Sequence, residues 1–171
     1  MAVTLASLNA ADEKTFVSLL GPVFEHSPWV AERAFARRPF ASTAAVHGAM
    51  MESVNRASGI EQLTLIRAHP ELAGREAVEG GLTADSSTEQ GRLGFTTLSR
   101  AEFERMGEIN RRYRERFGFP CIVALALHAD RASVIAEMES RIDNAPEDER
   151  AAALGQIGHI TRARLEKLIR G

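Results

Sequence analysis

Apolar residues recur at helical spacing along most of the chain, and capping signals divide that pattern into separate helices. Leu8, Asn9 and the run Ala10-Ala11-Asp12 read as a staple residue, an N-cap and an acidic first turn. Phe16, Leu19 and Leu20 then form a stripe that Gly21-Pro22 ends. Ser27-Pro28 is a second start, a cap followed by proline at the first helical position, with Trp29, Val30, Ala34 and Phe35 behind it. Ser42 or Thr43 opens a third helix, with Val46, Met50 and Val54 on one face and Gly59 as its stop. Ile60 to Ala68 forms a fourth. It must end at His69, because Pro70 disfavours helical dihedrals at the residue before it.

Beyond a Gly- and Thr-containing connection, Ser86-Ser87-Thr88-Glu89 has the spacing of a capping box, and so has Ser99-Arg100-Ala101-Glu102. The second box opens a long polar helix carrying Phe103, Met106, Ile109, Tyr113 and Phe117, halted by Gly118. The apolar run from Cys121 to Leu127 fits either a strand or a buried helix. Asp130 or Ser133 starts another helix through Ile142. Pro146 starts the last, with Leu154, Ile157, Ile160, Leu165 and Leu168 as its apolar positions. With no repeat, low-complexity tract or linker, the expectation is an all-α fold: a single compact multi-helix domain over residues 1–171, of seven to nine helices.

Composition narrows this picture only slightly. A chain of 171 residues can bury about two thirds of its unfolded surface. Its net charge of −2 provides no basic field for nucleic acid, and its arginines are interleaved with acidic residues as on a solvated face. No segment has the roughly 20 apolar residues needed to span a bilayer, so no membrane partner is expected. Asp12, Glu13 and Lys14 stand where a signal peptide needs its apolar core, and a lone cysteine fits a reducing compartment. A cytoplasmic location is expected.

His69 leads the candidates for chemistry. Proline holds it outside the helix, and its ordinary pKa of about 6.5 suits proton transfer near neutrality. The bland alternative is a histidine that satisfies a terminal carbonyl. Ser86 and Glu89 can simply cap a helix, a role worth about 1 kcal/mol; compatibly, the helix N-terminus offers free N–H groups to a polar ligand, with Glu89 and Gln90 at its edge. Arg164 lies on the apolar side of the last helix and Arg162 points away. An inward guanidinium there needs a carboxylate, from the protein or from a substrate, unless it snorkels to solvent. Cys121 reads as a buried, inert thiol. His26, His47, His128 and His159 have no metal-ligand spacing, and no metal is assigned.

Taken together, A-H-P-E-L-A-G at 68–74, L-T-A-D-S-S-T-E-Q at 82–90 and R-F-G-F-P at 116–120 resemble the decarboxylases of 2-oxo-4-hydroxy-4-carboxy-5-ureidoimidazoline (OHCU). F-E-H-S-P-W-V-A-E-R-A at 24–34, R-P-F at 38–40 and A-L-G-Q-I-G-H-I-T-R-A-R-L-E-K-L at 153–168 are similar to the same family. Each motif is weak by itself; the set runs in register over nearly the whole chain.

The resemblance implies an all-helical homodimer that converts OHCU to (S)-allantoin and CO2 in urate breakdown, with no metal or organic cofactor. It implies His69 as the catalytic acid beside Pro70, and Glu89 acting with it. It further implies a substrate pocket walled by Ser86, Ser87, Thr88, Glu89 and Gln90, backbone contacts from Cys121, Ile122, Val123, Ala124 and Leu125, and Arg164 on the substrate's polar groups. Two departures stand out: Cys121 replaces a phenylalanine common in relatives, and Asp85 replaces a glutamate. The alternatives are a cofactor-free lyase or hydrolase acting on another ureido or imidazoline compound, and a helical binding module in which His69 and Glu89 are only caps.

Overall fold

A computed structural model describes residues 2–170 of the chain, apart from the side chain of Glu76. Ten helices dominate it, with one parallel pairing of two-residue strands in which Val3 faces Ile169 and Thr4 faces Arg170. The all-α expectation holds. Two compact units emerge, one of residues up to Ala68 together with those from Gly158, the other from His69 to Ile157.

In the first unit, β1 (Val3–Thr4) leads directly into α1 (Leu5–Ala10), where Thr4 and Ser7 form a reciprocal capping box. α2 (Glu13–Leu20) is capped by Asp12, which accepts the Thr15 N–H at 2.7 Å. The expected cap at Asn9 is therefore wrong, and the reason is tertiary. Asn9 donates to the Phe40 carbonyl at 2.9 Å and accepts the Phe40 N–H at 2.8 Å, so its amide bridges distant backbone rather than opening a helix. After a 3₁₀ turn at Gly21–Val23 come α3 (Trp29–Phe35), α4 (Thr43–Asn55) and α5 (Gly59–Ala68). Gly59 is not a stop but the first residue of α5, entered through a Ser58–Glu61 capping box. Leu8, Phe16, Leu20, Val30, Ala34, Val46, Met50 and Val54 are fully enclosed, and Phe16 meets Phe35 edge-on at 5.5 Å.

The second unit contains α6 (Arg75–Glu79), α7 (Ala84–Arg92), α8 (Arg100–Phe117) and α9 (Arg131–Arg141). α10 (Pro146–Leu168) supplies this unit up to Ile157 and the first unit beyond it, where β2 (Ile169–Arg170) follows. The Ser99–Glu102 box forms as expected, and Gly118 ends α8 in the left-handed region at φ 73°. Asp130, rather than Ser133, caps α9. Cys121–Leu127 is neither strand nor α-helix. It runs as an irregular segment ending in a 3₁₀ turn at Leu125–Leu127, and its buried backbone bonds to side chains instead of a neighbouring strand. Among the described residues, no helix is long and apolar enough to cross a membrane.

Candidate active site

His69 comes one residue after α5 ends, and it is buried at 6% exposure. Pro70 links it to a tight turn at residues 71–74, closed by the Gly74 N–H on the Glu71 carbonyl at 3.3 Å. Ala73 in that turn has φ 50°, a left-handed conformation that costs a non-glycine residue about 1 kcal/mol. Side chains hold the turn there. Gln90 accepts the Ala73 N–H at 3.0 Å and donates to the Glu71 carbonyl at 3.3 Å, while Asn110 donates to the Leu72 carbonyl at 2.8 Å. Arg114 pairs with the Glu71 carboxylate.

α7 starts earlier than the Ser86 capping pattern suggests. Thr83 is its N-cap, and the Ser86 N–H donates to the Thr83 hydroxyl at 3.3 Å. The free N–H groups of the helix start therefore lie one turn before Glu89 and Gln90, which sit within the helix. Both Ser-x-x-Glu and Thr-x-x-Ser offer a hydroxyl three residues ahead of a donor, so spacing alone could not choose between them. Helical geometry then sorts the candidates by face. Ser86 and Gln90 are buried and Glu89 is half-buried, whereas Ser87 and Thr88 are exposed on the other side. The Gln90 amide bonds to the turn after His69 through both its oxygen and its nitrogen.

Cys121, Ile122, Val123, Ala124 and Leu125 are all buried. Three side chains fix their backbone. Arg141 donates to the Ile122 carbonyl at 2.7 Å, Gln156 accepts the Ala124 N–H at 2.8 Å, and Arg92 donates to the Leu125 carbonyl. Arg92 also reaches the His128 carbonyl at 2.9 Å. Behind the segment, the fully enclosed Glu149 accepts from Tyr113, from Arg141 and, at 2.9 Å, from Asn144. Burial beside this cluster pushes the Cys121 thiol up to about 12, which disfavours its reactive thiolate form at neutral pH.

α7 is thus tied on one flank to the turn after His69, through Gln90, and on the other to the Cys121–Leu125 segment, through Arg92. Both ties depend on residues within three positions of Glu89. Arg164, in the other unit, is buried on α10 and donates to the Glu25 carboxylate at 2.9 Å and to the Val23 carbonyl at 3.2 Å. Its carboxylate partner comes from the protein. Glu25, Arg92, Asn110, Arg141 and Gln156 escaped the sequence reading. Asn110 alone carried a legible signal, a short amide at helical spacing from Met106 and Tyr113 on the apolar face of α8. Among the described residues, no group of three or more His, Cys, Asp or Glu is placed to hold a metal ion.

Comparison with known proteins gives a consistent result. The family model described as OHCU decarboxylase matches residues 9–166. The 2-oxo-4-hydroxy-4-carboxy-5-ureidoimidazoline decarboxylase of Haloferax volcanii is 39% identical over 163 residues, covering 95% of this chain and 94% of its own. The mouse (Mus musculus) protein of the same name is 34% identical over 165 residues, covering 96% and 92%. A crystal structure of (S)-allantoin synthase superimposes with a TM-score of 0.75 at 30% identity, over 98% of this chain and 54% of that one.

Proposed function

The chain belongs to the OHCU decarboxylase family, and from that membership we propose that it decarboxylates OHCU to (S)-allantoin and CO2, with His69 as general acid and Glu89 beside it. The observation that carries this reading is the family match, which runs from residue 9 to residue 166. It crosses both compact units, which supports treating the chain as a single decarboxylase domain.

The chemistry suits these residue types. The bond from the ring carbon to the carboxylate breaks, and its electron pair forms a carbon–carbon double bond toward the ureido-bearing carbon. The adjacent C=N pair moves onto nitrogen, which takes up a proton. That C=N group is the electron sink, so a metal or organic cofactor has no necessary part. The resulting enol then loses its hydroxyl proton as the ureido-bearing carbon gains one. Protonation from one face sets the S configuration. An imidazolium at His69 supplies that proton, and the Glu89 carboxylate holds the substrate hydroxyl or keeps the imidazole charged. Burial of His69 supports a water-excluded donor, where orientation and electrostatics count most.

In this reading Pro70 and Ser86 border the substrate, and the Cys121–Leu125 backbone contacts it, with rigidity supplied by Arg92, Arg141 and Gln156. Gln90 acts through the turn rather than as a direct contact, and Ser87 and Thr88 take the outer face. For Arg164 the proposal is a substrate-binding guanidinium oriented by Glu25. A homodimer in the cytoplasm completes it, with no role for nucleic acid or membrane. The test is to generate OHCU in situ from urate and compare its decay with and without the protein. Decay faster than the spontaneous reaction, lost in His69→Ala and Glu89→Ala variants that remain folded, supports the reading. An unchanged rate with wild-type protein rejects it.

A further inference from the structure

Asn110 has no part in the site as the sequence motifs describe it, yet its position links the core of α8 to the turn behind His69. We propose that Asn110 is a positioning residue for His69, acting by fixing the Leu72 carbonyl; this rests on the reading of His69 as the proton donor.

Asn110 is 5% exposed and lies on the apolar stripe formed by Met106, Ile109 and Tyr113. An apolar side chain there would fill the same space with no polar atoms to satisfy, whereas a buried amide is costly unless bonded. Its Nδ2 donates to the Leu72 carbonyl across 38 residues of sequence. Leu72 is the residue before the left-handed Ala73. That conformation is uphill for alanine and persists only where neighbours over-determine it. Asn110 and Gln90 do so from two different helices, holding the carbonyls of Glu71 and Leu72 and the N–H of Ala73.

Few torsions lie between this clamp and the imidazole. Pro70 locks its own φ and restricts His69, so a shift of Leu72 is carried to His69 with little damping. General acid chemistry is sensitive to such shifts. A displacement of about 1 Å at a reacting group can cost on the order of 100-fold in rate. Asn110 therefore governs the rate through the placement of His69, without contacting substrate.

The experiment is a double-mutant cycle on OHCU decay, with kcat and KM measured for Asn110→Ala, His69→Ala and the pair. Asn110→Ala is expected to lower kcat roughly 10- to 100-fold, with KM changed by less than about threefold. In the His69→Ala background the same substitution is expected to cost nothing further, because there is no acid left to misplace. An unchanged kcat in Asn110→Ala, or an equal fold-loss in both backgrounds, overturns the proposal by reducing Asn110 to a structural residue. If Asn110→Ala does not fold, Asn110→Asp enters the same cycle, keeping the shape and removing the amide donor. A wild-type kcat in His69→Ala alone removes the acid assignment itself, which is a distinct outcome from failure of the cycle.

Discussion

Nη2 of Arg141 lies 2.5 Å from Oε1 of Glu149, and Glu149 is completely enclosed. The same guanidinium holds the Ile122 carbonyl, so this ion pair links the stability of the second unit to the shape of the Cys121–Leu125 segment. Removing Glu149 leaves the buried Arg141 with only the half-buried Glu137, at 3.1 Å, as its counter-charge, and breaking a buried pair costs about 3–5 kcal/mol. Glu149→Ala is expected to lower the unfolding free energy by about that amount in urea titrations. A change below about 1 kcal/mol would mean that Glu137 compensates alone.

Gln90→Leu should reveal how much the turn after His69 depends on α7. The substitution keeps most of the volume but strips the Ala73 N–H of its partner and leaves the Glu71 carbonyl with the Gly74 N–H alone. The expected loss is about 1–3 kcal/mol, because a buried unpaired donor costs its desolvation. Hydrogen exchange at Ala73 should accelerate with it. Unchanged exchange there would remove Gln90 from the clamp.

Much of this architecture was readable in the chain, and the misses share a cause. The Ser99–Glu102 box, the Gly118 stop and the helix break before Pro70 are decided by residues within four positions, and each forms as expected. The Asn9 cap and the Ser86 cap failed because another residue nearby could do the same job. Asp12 and Thr83 took those roles, freeing Asn9 to bind Phe40 and placing Ser86 inside α7. The Cys121–Leu125 segment was ambiguous because its backbone is satisfied by Arg92, Arg141 and Gln156, none of them local in sequence. Motifs located the candidate residues; long-range amide and guanidinium contacts, invisible to periodicity, hold them.

Cys121 should be chemically silent in the native protein. Its thiol, pushed up to about 12 by burial, is almost wholly protonated at neutral pH. An aromatic disulfide reagent should modify it at the unfolding rate in buffer and within seconds in denaturant. Rapid stoichiometric labelling of native protein would contradict the burial.

His47 on α4 gives stability a pH dependence of defined sign. Burial lowers its proton affinity below the ordinary imidazole value; the Gly158 carbonyl and Glu166 oppose that effect, and Arg162 and His159 reinforce it. Its Nε2 lies 3.1 Å from the Thr161 hydroxyl. The unfolded chain therefore binds this proton more readily, and the contribution to stability is complete above pH of about 6.5. It is lost as pH falls from there through the folded value. The melting temperature should drop between about pH 7.5 and 5.5, less steeply in His47→Asn. Equal slopes would exclude His47 as the source.

The most direct test of the central claim is the circular dichroism of allantoin formed when OHCU is generated in situ from urate, with wild-type protein and with His69→Ala side by side. Wild-type protein is expected to give an (S)-allantoin signal well before the spontaneous reaction is complete, and folded His69→Ala the slow, optically silent course of buffer alone. A racemic product from wild-type protein, or an undiminished (S) signal from His69→Ala, would contradict the account.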